Sequence, residues 1–208
     1  MYIPRYFEIT DPLVIEQFIK ENSFATIVST GTEFPIATHI PIELEKNENG
    51  ENVLWGHVSK ANPQWKLFEK NENVLVIFFS SAHHYISSSW YGKPNVPTWN
   101  YMSVHVSGKI KLIEGEKLWE SVRRLTDKYE KNAANPVSLD TLPKEVQKQM
   151  NGLVGFEILI SKMEAAFKLS QNRNEEDFEN IIKHLNLSPD LHGKLTAEAM
   201  RKQRSEKE

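Results

Sequence analysis

Two short segments carry side chains suited to gripping a flat, phosphorylated molecule. In residues 96–110, Thr98, Trp99, Asn100 and Tyr101 follow a proline and lead into an alternating run. Trp and Tyr offer stacking area with a hydrogen-bonding tip, and Thr and Asn can read a ring's polar edge. In residues 56–65, alternation sets His57 and Ser59 on one strand face, Lys60 follows, and Asn62-Pro63 marks a helix start. A helix N-terminus beside a lysine and a serine holds phosphate without a glycine-rich loop. Each segment also has a plainer reading. The first is core or interface packing, and the second a strand-to-helix turn with Asn62 as its cap.

A third segment, residues 167–173, reads Phe-Lys-Leu-Ser-Gln-Asn-Arg. Alternation sends Phe167 and Leu169 inward and Lys168 and Ser170 to the opposite face, with Gln171 just beyond. Taken alone it is a solvated exit loop before a helix. His83 and His84 are adjacent, so in a strand they point to opposite faces, and no carboxylate stands at matching spacing; no metal site is expected. His39 and His105 stand isolated. No Ser-His-Asp order, nucleophile elbow, P-loop or dinucleotide fingerprint occurs, so catalytic residues stay unassigned.

The elements that position these groups are mostly strands. A helix opens at Asp11-Pro12, with Val14, Ile15, Phe18 and Ile19 on one face. Strands are expected over 24–29, 35–44 and 53–59, with a turn at 31–33 and a hairpin loop at 47–50. A short helix should run from Asn62-Pro63 to about Glu69. Residues 74–79 are continuously apolar and predict a strand buried on both faces. A long strand covers 99–113, and Leu118, Val122, Leu125 and Tyr129 recur at helical spacing after Gly115. Residues 153–169 read as strand in two pieces bent near Lys162. Phe178, Ile181, Ile182 and Leu185 share a helix face behind an Asn174 cap, and 189–193 breaks that helix before a charged final segment. About six strands with short turns predict a mainly β, α+β chain: an antiparallel barrel with peripheral helices.

Composition narrows the function. With 208 residues, 39% hydrophobic and 25% charged, the chain is long enough to bury a core. It has no cysteine, which excludes disulfides, thiolate metal sites and cysteine nucleophiles. A net charge of −3 argues against a broadly basic nucleic-acid binder, although Arg123, Arg124 and Lys128, and Lys194, Arg201, Lys202 and Arg204, could form local patches. No apolar run reaches the roughly 20 residues of a membrane span, and the start lacks signal-peptide layout, so a cytoplasmic, non-membrane protein is expected.

Taken in order, Met-Tyr-Ile-Pro at the start, Thr38-His39-Ile40-Pro41, residues 56–64, Val96-Pro97-Thr98-Trp99-Asn100-Tyr101, Val104-His105, Gly108 and residues 168–172 resemble the PaiB-type FMN-binding negative transcriptional regulators. The resemblance covers nearly the whole chain. It implies an antiparallel FMN-binding split barrel over 1–173 with a C-terminal helical extension over 174–208. The fold is related to pyridoxamine-phosphate oxidases and flavin reductases, usually homodimeric with FMN at the subunit interface. By the same resemblance, Ser59, Lys60 and Asn62 would hold the FMN phosphate, with His57 beside them and Thr38 and His39 on the neighbouring strand. Trp99, Asn100 and Tyr101 would lie near the ring or ribityl chain, and Lys168, Ser170 and Gln171 would complete the site from the same or the partner subunit. The implied role is repression of protease production and sporulation, through DNA or a regulatory partner, with a cofactor that purification can strip. No helix-turn-helix pair stands out. The rival reading is an FMN-dependent oxidoreductase or flavin reductase using reduced nicotinamide. A third is a barrel holding haem, on His39, His57 or His105, or no cofactor.

Overall fold

The computed structural model describes residues 1–205. In chain order the elements are β1 (Glu8–Ile9), α1 (Pro12–Glu21), β2 (Phe24–Ser29), β3 (Ile36–Lys46), β4 (Asn52–Ser59), α2 (Trp65–Phe68), β5 (Asn73–Phe79), β6 (His84–Ile86), β7 (Thr98–Ile113), α3 (Gly115–Glu130), α4 (Lys144–Gln147), β8 (Leu153–Lys168), α5 (Glu175–Leu187) and α6 (Leu191–Ser205). They fall into two compact units. One comprises Glu16–Phe78 and Val106–Met163; the other comprises Met1–Ile15, Phe79–His105 and the chain from Glu164 onward.

The first unit is a closed antiparallel barrel of six strands. Its hydrogen-bonded order is β8-β4-β3-β2-β5-β7, and β7 returns to β8. The hairpin registers follow the hydrophobic alternation: Ile27 faces Thr38 across β2–β3, and Leu44 faces Leu54 across β3–β4. Ala25, Ile27, Ile42, Leu44, Leu54, Val58, Val76, Phe78 and Ile158 are buried within it. Two glycines permit close approaches. A Cβ on Gly56 would stand 2.6 Å from the Phe156 ring, which packs there and meets Phe68 edge-on at 5.8 Å. A Cβ on Gly108 would stand 2.5 Å from the Leu159 carbonyl oxygen, where β7 meets β8 to close the barrel. Over the outer face of β4 and β8, Trp55 Nε1 donates to Glu157 Oε2 at 2.8 Å, and Lys117 of α3 pairs with the same carboxylate at 2.7 Å.

The second unit pairs β1 with the end of β8, Glu8 opposite Ala166, and β6 with the start of β7, Tyr85 opposite Trp99. The α5–α6 hairpin buries Phe178, Ile181, Ile182 and Leu185 on one helix and Thr196, Ala197 and Met200 on the other. Asn174 caps α5, its side chain accepting from the Asp177 N–H at 2.9 Å. The expected α+β class with an antiparallel barrel is therefore what the chain forms.

Several expectations need correction. There are eight strands rather than six, six of which close the barrel. β5 is not buried on both faces: Val74, Val76 and Phe78 are buried while Leu75 and Ile77 are half-buried and Phe79 is 48% exposed. β8 is one continuous strand, not two pieces. The helix after Asn62-Pro63 is a single turn beginning at Trp65. The expected break at 189–193 is shorter, because α6 already starts at Leu191.

Candidate functional site

The phosphate-side candidates lie in the barrel unit. On β4, alternation turns Gly56 and Val58 toward the core and leaves Trp55, His57 and Ser59 on the other face. Ser59 Oγ accepts from the Ala61 N–H at 3.2 Å and keeps its own proton free to donate. Lys60 is clamped through its backbone: its N–H donates to the Gly152 carbonyl at 2.8 Å, and its carbonyl accepts from Trp65 Nε1 at 3.1 Å. Its side chain is exposed, and among the described residues no carboxylate pairs with its ammonium. His57 is half-buried, and burial lowers its pKa, so it is neutral near pH 7.

Asn62 and Thr38 are engaged otherwise. Asn62 Nδ2 donates to Thr38 Oγ1 at 2.9 Å, and Thr38 Oγ1 donates in turn to Gln64 Oε1. Gln64 is fully buried, and its amide nitrogen donates to Ser29 Oγ at 3.0 Å, the Ile36 carbonyl at 3.1 Å and the Ile27 carbonyl at 3.3 Å. This amide ties the 60–64 turn to β2 and β3. Asn62 Oδ1 accepts from the Gln64 N–H at 3.0 Å, which folds the segment into a side-chain turn and delays the helix. With only one turn beyond it, the helix supplies no N-terminal anion site; Ser59 and Lys60 carry whatever the segment offers a phosphate. His39 sits on the opposite face of β3 from Thr38, exposed, with Nδ1 2.8 Å from Thr26 Oγ1.

The ring-side candidates lie in the second unit and divide by strand face. Asn100 is fully buried: its amide nitrogen donates to Ser170 Oγ at 2.9 Å and approaches Met200 Sδ at 3.4 Å. Ser170 is 3% exposed, so it does not continue the outward face begun by Lys168; the strand ends at Lys168 and the chain turns. Gln171 is spent on that turn, accepting from the Leu169 N–H at 2.7 Å and donating to the Phe167 carbonyl at 2.6 Å. Lys168 donates to Thr98 Oγ1, and its pKa is lowered by burial and then by the nearby charge of Arg173.

Trp99 and Tyr101 point the other way. Trp99 is 54% exposed and meets Tyr85 edge-on at 6.0 Å; Tyr101 stacks on Phe79 at 6.3 Å. Four aromatic side chains thus lie along one open face of the unit. Tyr85 and Phe79 were not singled out in the sequence, although Tyr85 is cross-strand to Trp99. His105 is half-buried, its pKa lowered by burial first and then by the N-terminal ammonium, against the opposing charge of Glu164.

Taken unit by unit, the barrel unit offers an unpaired ammonium and a hydroxyl, chemistry suited to a phosphate, and the second unit offers open aromatic faces, chemistry suited to a flat ring. Residues 1–162 match the family model described as "Putative FMN-binding domain". "Protease synthase and sporulation protein PAI 2" of Bacillus subtilis is 46% identical over 201 residues, covering 96% of each chain. The structure of an FAD and heme binding protein from Mycobacterium smegmatis superposes with a TM-score of 0.62 at 14% identity, covering 83% of this chain and 78% of that one. The flavocytochrome Anf3 of Azotobacter vinelandii gives 0.61 at 18% identity, covering 86% and 78%. At those identities the two structures speak to the fold alone. The family model and the near full-length relative speak to descent, and the chain belongs to the FMN-binding domain family, of the PaiB type.

Proposed function

We propose that the chain binds FMN as a homodimer and acts as a negative regulator of the protease and sporulation kind that its Bacillus relative's name suggests. The observation that carries the cofactor reading is Lys60: an exposed ammonium with no carboxylate partner among the described residues, on a turn whose backbone is fixed on both sides. An ordered but unpaired cation beside a free hydroxyl suits a phosphate, which carries about two negative charges at neutral pH. Trp99, Tyr101, Asn100, Lys168, Ser170 and Gln171 would serve the remainder of the flavin. Trp99 and Tyr101 offer surface to it, while Asn100, Ser170 and Gln171 hold the turn that presents Lys168.

A DNA partner would not use the cations of α3. Arg123 pairs with Glu120 and Asp127, Arg124 with Glu120 and Glu45, and Lys128 with Glu43, so each is already neutralised. The rival reading, a flavin oxidoreductase using reduced nicotinamide, draws support from the open aromatic area of Trp99 and Tyr85, which leaves room for a second planar ring. Titrating FMN against the purified protein while measuring its mass in solution tests the proposal: saturable quenching by a dimer supports it. Steady oxidation of reduced nicotinamide under those conditions would move the assignment to the oxidoreductase, and a monomer that leaves FMN fluorescence unchanged would refute the proposal.

A further inference from the structure

The turn after β8 is built with more constraint than an exit loop needs. Ser170 adopts a left-handed conformation, φ 60°, the only non-glycine among the described residues to do so. A conformation of this kind costs on the order of 1 kcal/mol and persists where surrounding bonds over-determine it. Here they do: Ser170 is bonded to Asn100, Gln171 bonds back to Phe167 and Leu169, and the Arg173 N–H donates to the Ser170 carbonyl at 3.0 Å. This rigid turn carries one cation at each end, Lys168 and Arg173.

Neither cation has an acidic partner among the described residues. Lys168 donates to Thr98 and lies 5.9 Å from the Phe7 ring centroid. The Arg173 guanidinium sits 4.8 Å over the ring of Tyr91. On the following helix, Asp177 accepts from the Gly92 N–H at 2.8 Å and from Asn174 at 3.0 Å, Glu175 pairs with Arg204, and Glu176 turns its carboxylate toward Gly92. Tyr91 itself is 9% exposed, and its hydroxyl is the one buried side-chain polar atom found without a hydrogen-bond partner among the described residues. A buried donor without an acceptor costs free energy, as do two half-buried cations without a counter-charge. One bound anion would relieve both.

We propose that Lys168, Arg173 and the Tyr91 hydroxyl form a binding site for a phosphate group. Two cations match the charge of a phosphate dianion, a guanidinium fork suits its geometry, and the phenol supplies a third donor. Burial and the charge of Arg173 both act against the ammonium of Lys168, as expected of a cation placed to meet an anion. The site lies within one unit; it shares Lys168 with the flavin reading, while Arg173 and Tyr91 have no part in that reading.

The test is calorimetric titration of the full chain with inorganic phosphate at ionic strength held constant with chloride. Wild type should bind saturably. Arg173→Gln should weaken binding about 10-fold or more, and Tyr91→Phe, which removes one oxygen, several-fold, with thermal unfolding confirming that both remain folded. The source of the phosphate is read from a flavin arm. Binding of inorganic phosphate that persists in saturating FMN assigns the site to a separate phosphorylated ligand. Competition by FMN, with Arg173→Gln weakening FMN but not riboflavin, assigns it to the flavin's own phosphate. Phosphate no better than chloride, or equal binding by wild type and both variants, would overturn the site.

Discussion

Asn100 and Ser170, 70 residues apart, satisfy each other: the Asn amide nitrogen lies 2.9 Å from Ser170 Oγ, and that hydroxyl lies 3.1 Å from Asn100 Oδ1. The pair joins the start of β7 to the turn after β8 in an interior that excludes water. Both belong to the motifs that mark the family resemblance, yet their side chains are turned toward each other. Asn100→Ala should therefore act first on stability. It leaves the Ser170 hydroxyl without its partner and should cost about 1–3 kcal/mol in denaturant unfolding. Riboflavin affinity of the remaining folded fraction should fall as well, because the turn that presents Lys168 loses its anchor.

Gln64 gives a second stability prediction. Its amide serves Ser29, two strand carbonyls and Thr38 at once. Gln64→Ala should cost about 3 kcal/mol, since several buried groups lose partners together. The urea midpoint measures this, and an unchanged midpoint would contradict the network.

Glu157 controls the acid limit. Burial opposes ionisation of its carboxyl, but Lys111, Lys117 and Trp55 outweigh it and hold the pKa down to about 2, from 4.5. The folded value lies below the unfolded one, so the unfolded chain takes up the proton first as pH falls. The stabilisation is present in full above about 4.5 and drains away toward 2. Stability against pH should show this slope in wild type. Glu157→Gln should remove that part of the slope and cost about 1 kcal/mol at pH 7, since the two lysines it leaves reach solvent.

Much of the fold was legible in the sequence because its strands alternate and its helices carry one apolar face. β2 spans the expected 24–29 and β3, Ile36–Lys46, runs two residues past the expected 35–44, for that reason, and the Asn174 cap fixes the start of α5. β5 misleads because its outward residues, Leu75, Ile77 and Phe79, are as apolar as its inward ones, so the sequence cannot show that one face stays partly open. The polar, exposed Ser161 and Lys162 look like a bend but are solvent-facing positions of an unbroken strand. At the site, chemistry-bearing residues could be named from type and spacing. Which of them are turned inward could not, because the partners that occupy them, Gln64 for Thr38 and Ser170 for Asn100, are distant in sequence.

Lys60 carries the central claim, and one measurement addresses it directly. Flavin fluorescence quenching is followed for FMN and for riboflavin with wild type and with Lys60→Ala. The ammonium contributes to phosphate binding alone, so FMN should weaken by about 1.5–3 kcal/mol while riboflavin is nearly unmoved. Equal losses for the two flavins, or no loss for FMN, would contradict the assignment of Lys60 to the phosphate.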